Sequence, residues 1–344
     1  MRILRTRPRR VVAAVLAVVV GLPLLAVGAL LVWDGGIDTD PHRELLPGVR
    51  LDLRTASTRL GPVQYDLAGS AGPVVLSVHA GLGGADQGRL FADWLRADGY
   101  RILSPSRPGY LATPADHGSS PDDQADLLVA LLDELGIDRV AVFAPSAGAP
   151  VGYALAARHP DRVWGLVTVD GTSLPTAPSP PPDPLRTAFL DTVGEKLVRL
   201  TALLSPAALV SGTLDETSTF TDEQKAARAA RIKGDPTVRA LFEAMVDTTF
   251  PYADRQVGTS LDAGIAAGLA TTPLALDRIT APTLVVHGTR DGDVPFADGE
   301  HAAASIPGAE HHWMLDEDHL GFWLGPGGEA AQTAVRGFLA RHAP

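Results

Sequence analysis

Apolar positions fall into two regimes along the chain. The first is an unbroken run over residues 11–33 with no charge on any face. As a helix it would be roughly 35 Å long, against a bilayer hydrocarbon core of about 30 Å. Gly21 and Pro23 interrupt it, which lipid-embedded helices tolerate. Arg2, Arg5, Arg7, Arg9 and Arg10 precede the run and Trp33 closes it. That charge bias predicts the N-terminus inside and the body outside. A cleaved signal peptide is the alternative, because Ala26-Val27-Gly28 supplies small residues at the −3 and −1 positions of a cut. The run continues through Leu30, Leu31 and Val32, which favours an anchor. Both readings put the body outside the cytoplasm.

The second regime begins near residue 49. Short apolar runs alternate there with helical periodicity, the signature of a mostly parallel sheet flanked by helices. The pattern predicts an opening pair of strands over 50–53 and 63–67, then strands over 74–79, 101–104, 140–144 and 163–169. Helices are predicted over 87–97, 121–135 and 149–158. Ser120 and Pro121 form a start signal for the second of these. After 174 the alternation stops. Six prolines between 175 and 184 read as a stiff lead-in. Helices follow over 185–204, 222–232 and 236–246, the second opened by a Thr221/Gln224 capping box. Strands resume at 282, with 284–287 and 313–315. The implied organisation is a basic cytoplasmic segment (1–10), an anchor or signal segment (11–33), a stalk (34–48), a first core part (49–174), a helical cap (175–280) and a second core part (281–344). An insertion of ~100 residues is too long for a plain loop and reads as a lid after the sixth strand.

Composition narrows the function. The chain has 344 residues, 45% of them hydrophobic and 20% charged, enough to bury a core. The net charge is −11, and all five charges of the first 33 residues are positive, so the body is more acidic still. An acidic body excludes nucleic acid as the partner. There is no cysteine, which removes disulfides, thiolate nucleophiles and cysteine-bound zinc.

Candidate chemistry lies at strand ends. Ala144-Pro145-Ser146-Ala147-Gly148 joins a buried strand to a helix, where a serine is lifted above the sheet on a tight turn. A second Ser-x-Gly, Ser70-Ala71-Gly72, lies in a polar turn with no helix after it and reads as a hairpin. His79-Ala80-Gly81-Leu82-Gly83-Gly84 follows the third strand, and its glycines let backbone N–H groups face a cavity. The N–H groups of Gly81 and Ala147 are the candidate oxyanion donors, and His79 is expected to hold the loop. His319, between a strand and a helical tail, is the candidate base among ten histidines. His311 and His312 are neighbours in a strand, point to opposite faces and cannot chelate one metal. His42, His117 and His342 lie in polar segments, and His159 complements a helix dipole. Asp291, after strand 284–287, is the candidate acid, with Asp170 at the end of strand 163–169 as its rival. Asp316, Glu317 and Asp318 read as solvated loop charges.

The order Ser146, Asp291, His319, each after a strand, resembles the α/β-hydrolase superfamily over roughly residues 50–342. Supporting matches are Ser106-Arg107-Pro108-Gly109-Tyr110, Arg158-His159-Pro160-Asp161-Arg162-Val163 and Gly288-Thr289-Arg290-Asp291-Gly292-Asp293-Val294-Pro295. The chain departs from that pattern at Ala144, where the elbow usually has glycine, at Pro145, at Ala80 in the oxyanion loop and at Asp318 before the base. Its glycine-rich loop resembles that of proline iminopeptidases, but Ala147 stands where they carry tryptophan, so peptidase activity is not implied. Ser146 rules out the members with an aspartate nucleophile. The resemblance implies an α/β-hydrolase fold with a helical cap, and a serine hydrolase acting on a small-molecule or lipid-like ester, or a related lactone or amide, without a cofactor. A catalytically silent binding protein of the same fold is the alternative, since fold does not fix function.

Overall fold

The structure, a computed structural model, describes Gly28, Trp33 and residues 38–116, 118–176 and 194–344. The expected anchor over 11–33, nearly all of the proline-rich lead-in and His117 lie outside the described residues. Among those described, no helix is long and apolar enough to cross a membrane. The chain divides into two units, Met1–Ile37 with Pro181–Pro206, and Asp38–Pro180 with Ala207–Pro344.

In the second unit a small antiparallel pair comes first, β1 (Glu44–Leu46) with β2 (Val49–Arg50). Residues 43–48, expected in a stalk, therefore belong to the folded body: Arg43 is bonded to the buried Asp86 at 2.5 Å, and Leu51 N–H donates to the Arg43 carbonyl. The large sheet opens with β3 (Arg54–Thr58) and β4 (Gly61–Ala68), paired antiparallel with Ala56 opposite Val63. The first strand of the opening pair is thus 54–58, not 50–53. Next come β5 (Val74–Ser77), α1 (Ala85–Ala92), β6 (Arg101–Pro105), α2 (Pro121–Glu134), β7 (Val140–Pro145), α3 (Ala149–Arg158) and β8 (Val163–Val169). The eight-stranded order is completed by β9 (Thr283–Gly288) and β10 (Glu310–Met314) as β10-β9-β8-β7-β5-β6-β4-β3, parallel from β10 through β6. Ser70-Ala71-Gly72 is not a hairpin, because β6 lies between the strands it joins. Gly72 has φ +96°, and a Cβ there would lie 2.0 Å from the Gly99 carbonyl oxygen.

The sequence explains why these elements form. β7 and β8 are buried at every position, as strands covered by helices on both faces must be. Ser120 caps α2 by accepting the Asp123 N–H, with Pro121 in the first turn. Between β8 and β9 lie α4 (Glu195–Leu204), α5 (Pro206–Thr217), α6 (Asp222–Gly234), α7 (Pro236–Asp247) and α8 (Gln256–Gly268). α4 belongs to the first unit, where Leu197, Val198 and Leu204 are exposed. The Thr221/Gln224 capping box starts α6 as expected. α5 and α8 were not legible in the periodicity. After β9 come α9 (Phe296–Ser305), then α10 (Gly321–Leu324) and α11 (Gly328–His342) beyond β10. Val210, Leu214, Ile232, Phe242 and Met245 from α5–α7 share an apolar cluster with Phe91, Phe322 and Trp323 of the sheet domain.

Candidate active site

Ser146 ends β7 on a single 3-10 turn, Ser146–Gly148, that leads into α3. Its φ is +51°, left-handed and uncommon for a residue with a side chain. Such strain costs on the order of 1–3 kcal/mol and persists only where the surroundings impose it. The surroundings here are tight. A Cβ on Gly148 would lie 2.3 Å from the Val78 carbonyl oxygen, so the chain just after β5 and the elbow touch backbone to backbone. Ala144 is accommodated from the other side: a Cβ on Gly152 of α3 would come within 2.8 Å of the Ala144 Cβ. The space that glycine at 144 would leave is supplied by Gly152.

The three strand-end residues converge. His319 Nε2 lies 3.0 Å from Ser146 Oγ, and His319 Nδ1 lies 2.7 Å from Asp291 Oδ2. The other Asp291 oxygen accepts the N–H groups of Asp293 and Val294, each at 2.8 Å, which fixes the carboxylate plane. The rival Asp170 does not hold the histidine. Its Oδ1 accepts the Gly288 N–H at 2.7 Å, while its Oδ2 is buried without a partner. Burial and then the neighbouring Asp291 push the Asp170 carboxyl well above its usual range, favouring the neutral form. For His319, burial alone would lower the pKa, but Asp291 and then Asp293 outweigh it and raise it to about 10. Asp293 contributes from 3.3 Å on Nε2 through a largely exposed carboxylate.

Asp170, His287 and Asp291 bring ligand-type atoms within 4.8 Å of one another. Those of Asp291 are engaged by His319 and two backbone N–H groups, and His287 Nε2 faces the Val294 carbonyl at 3.1 Å.

The loop after β5 is held from behind. His79 is fully buried. Its Nδ1 donates to the Ala80 carbonyl at 2.7 Å and its Nε2 accepts the Arg107 N–H at 2.9 Å, a neutral tautomer. Burial and the nearby Arg107 push its pKa well below the usual value, in keeping with that form. The position of a Cβ on Gly81 is 3.8 Å from the Ala147 Cβ, so residues 81 and 147 are neighbours. The Ala80–Gly81 peptide is trans, so its N–H points opposite to its carbonyl. That carbonyl faces His79 and Arg107, which turns the Gly81 N–H away from them.

Two expectations change. Glu317 and Asp318 are not solvated. Both are buried and paired with Arg228 of α6, Asp318 at 2.5 Å, whereas Asp316 is exposed. Burial raises both carboxyls despite the arginine. His159 does end α3, but it binds Asp126 at 2.6 Å rather than acting on the dipole alone. The cap reaches the acid and base by backbone as well: the Thr217 carbonyl accepts the N–H groups of Gly292 and His319, and Thr219 N–H donates to Arg290. Arg228, Arg255 and Asp262, which tie cap to site, were missed. Of their partners, Arg107 and Tyr110 stood in the Ser106–Tyr110 motif and Gly83 in the glycine-rich loop.

These features define a class. Residues 73–326 match the alpha/beta hydrolase fold family, to which the chain belongs, and it is a hydrolase of that fold. A solved alpha/beta hydrolase fold protein from Nakamurella multipartita is 37% identical, with a TM-score of 0.74, covering 83% of this chain and 98% of that one. An uncharacterized hydrolase of Bacillus subtilis is 27% identical over 288 residues, 81% of this chain and 95% of its own. The enol-lactonase of Burkholderia xenovorans shares the fold at a TM-score of 0.60 and 21% identity, covering 83% of this chain and all of that one (100%).

Proposed function

We propose that the protein is a serine hydrolase that cleaves a carboxylic ester through an acyl-enzyme on Ser146. The observation that carries this reading is the relay from Asp291 Oδ2 to His319 Nδ1 at 2.7 Å and from His319 Nε2 to Ser146 Oγ at 3.0 Å. Asp291 keeps the Nδ1 proton in place, leaving Nε2 to take the serine proton as Oγ attacks the carbonyl carbon. The oxyanion forms against the N–H groups of Gly81 and Ala147, and the positive end of α3 supports it. His319 then returns the proton to the departing alkoxide. Water, deprotonated by the same histidine, releases the acid and restores Ser146. Lactones and amides suit the same chemistry, the amide with a poorer leaving group.

The same reading places the body outside the cytoplasm, held by residues 11–33. Its support is the arginine-flanked apolar run. An alkaline wash should leave the full chain in membranes, and external protease should reach the body. A mature protein free in the medium and beginning near Ala29 would overturn the anchor.

The catalytic test is a fluorophosphonate probe with a series of p-nitrophenyl esters. Labelling and turnover in the parent, both lost in Ser146→Ala, are expected. An unlabelled parent would leave a silent binding protein of the same fold.

A further inference from the structure

The oxyanion loop is gripped from the cap. Arg107 leaves the loop after β6 fully buried and reaches two ways. Its Nε donates to the His79 carbonyl at 3.2 Å, and one terminal nitrogen to the Ala80 carbonyl at 3.4 Å. The same guanidinium forms a bidentate pair with Asp262 of α8, at 2.5 and 2.7 Å, and Tyr110 Oη donates to the same carboxylate. The other end of the loop is held by the same helix. Arg255, at the start of α8, donates to the Gly83 carbonyl and pairs with the buried Asp86. At Gly258 the backbone of α8 meets that of the core directly: Gly258 N–H donates to the Gly109 carbonyl at 2.9 Å, and a Cβ on Gly109 would lie 2.7 Å from the Gly258 nitrogen.

We propose that Arg107 and Asp262 are positioning residues through which cap helix α8 sets the orientation of the Ala80–Gly81 peptide, and with it the oxyanion donor. The reasoning is geometric. A trans peptide carries its C=O and N–H in opposite directions, so fixing the Ala80 oxygen fixes the Gly81 N–H. A planar guanidinium can hold a carboxylate by its fork and keep N–H groups for carbonyls beside it, and an ammonium cannot do both from one place. Cap and catalytic loop therefore move together. A shift of α8 that drags Asp262 turns the peptide and weakens transition-state binding. This rests on the serine-hydrolase reading for its kinetic part alone.

The experiment compares the full-length parent with Arg107→Lys and Asp262→Asn. Arg107→Lys keeps a cation for Asp262, and Asp262→Asn keeps the side-chain size. Each should lower kcat by about tenfold or more, the range of a weakened oxyanion donor, with KM within about threefold of the parent. Crystal structures of parent and variants provide the second readout. The Ala80 carbonyl should leave its parental direction in both variants. A peptide that keeps its orientation overturns the proposal, whether or not any ester is cleaved. Lowered Tm with kcat unchanged also overturns it, leaving the pair as cap adhesion alone. A parent that neither labels nor turns over ester sinks the catalytic reading, and the peptide orientation still decides this one.

Discussion

The two sides of the site are built on different physics. The nucleophile side is local and apolar. β7 and β8 are buried throughout, and Ser146 is placed by a strained turn and by small residues within eight positions of it. The side that holds His319, Asp291 and the loop after β5 depends on buried charge brought from far away in sequence. Arg228 meets Glu317 and Asp318, Asp262 meets Arg107, and Arg255 meets Asp86. Apolar packing tolerates exchange of one hydrocarbon for another at modest cost. A buried ion pair does not tolerate loss of one member, because the other is left charged in a medium that cannot solvate it. The nucleophile side should therefore fail in activity alone when changed, and the cap side should fail in stability and rate together.

The largest effect tests the nucleophile side. Ser146→Ala should remove ester turnover by about five orders of magnitude or more, with Tm little changed, since one oxygen is deleted at a turn. Turnover near the parent's would take Ser146 out of the mechanism. Next comes Asp291→Asn, which should reduce kcat by ~10⁴ through the wrong imidazole tautomer. Asp170→Asn should stay within about threefold, because an amide replaces a carboxyl already pushed toward neutrality. The reverse ranking in steady-state kinetics would move the acid to the end of β8.

On the cap side, Arg228→Met should destabilise the fold by about 3–5 kcal/mol, read by urea or thermal unfolding. The sign with pH follows. Burial raises the Glu317 and Asp318 carboxyls even with the arginine present, and removing it raises them further. The folded state then binds more protons than the unfolded one, so the deficit shrinks as pH falls. A deficit independent of pH would show that packing, not charge, carries the contact.

The smallest effect concerns Asp293. Below the His319 pKa, raised to about 10, the rate should climb with pH as neutral imidazole accumulates. Asp293 stabilises the imidazolium, so Asp293→Asn should move that limb to lower pH and raise the rate at neutrality. Its carboxylate is largely exposed, so added salt should reduce the difference between parent and variant. A profile that does not move would mean that water already screens the pair.

Most of the sheet was legible because its signals are local. Helix α3 and strand β8 fall where periodicity put them, and the capping box of α6 is written in four residues. The opening strand was misplaced because 50–53 and 54–58 are both mixed in polarity, and only pairing with β4 chooses between them. α8 went unread because Gln256–Gly268 includes three glycines, each costing about 0.8–1 kcal/mol of helix propensity. Its contact with the backbone of Gly109 explains Gly258, where a Cβ would strike Tyr110.

What the sequence by itself determined is the turn at Ser146, the strand-end order of Ser146, Asp291 and His319, and the apolar run ahead of the body. Each depends on residues close in the chain, whose spacing sets which face a side chain takes. The tertiary structure decided which carboxylate bonds His319, that Glu317 and Asp318 are buried, and that α8 is tied to the loop after β5 through Arg107 and Arg255. Asp291 and Asp170 both end strands, and only the folded sheet sets one on Nδ1 and the other on the Gly288 N–H. The partners of Glu317, Asp318 and Arg107 lie 89 to 155 residues away. A charge shows in sequence whether it is present, not whether it is solvated. Burial is a property of everything packed around it, and only the assembled cap and sheet supply that.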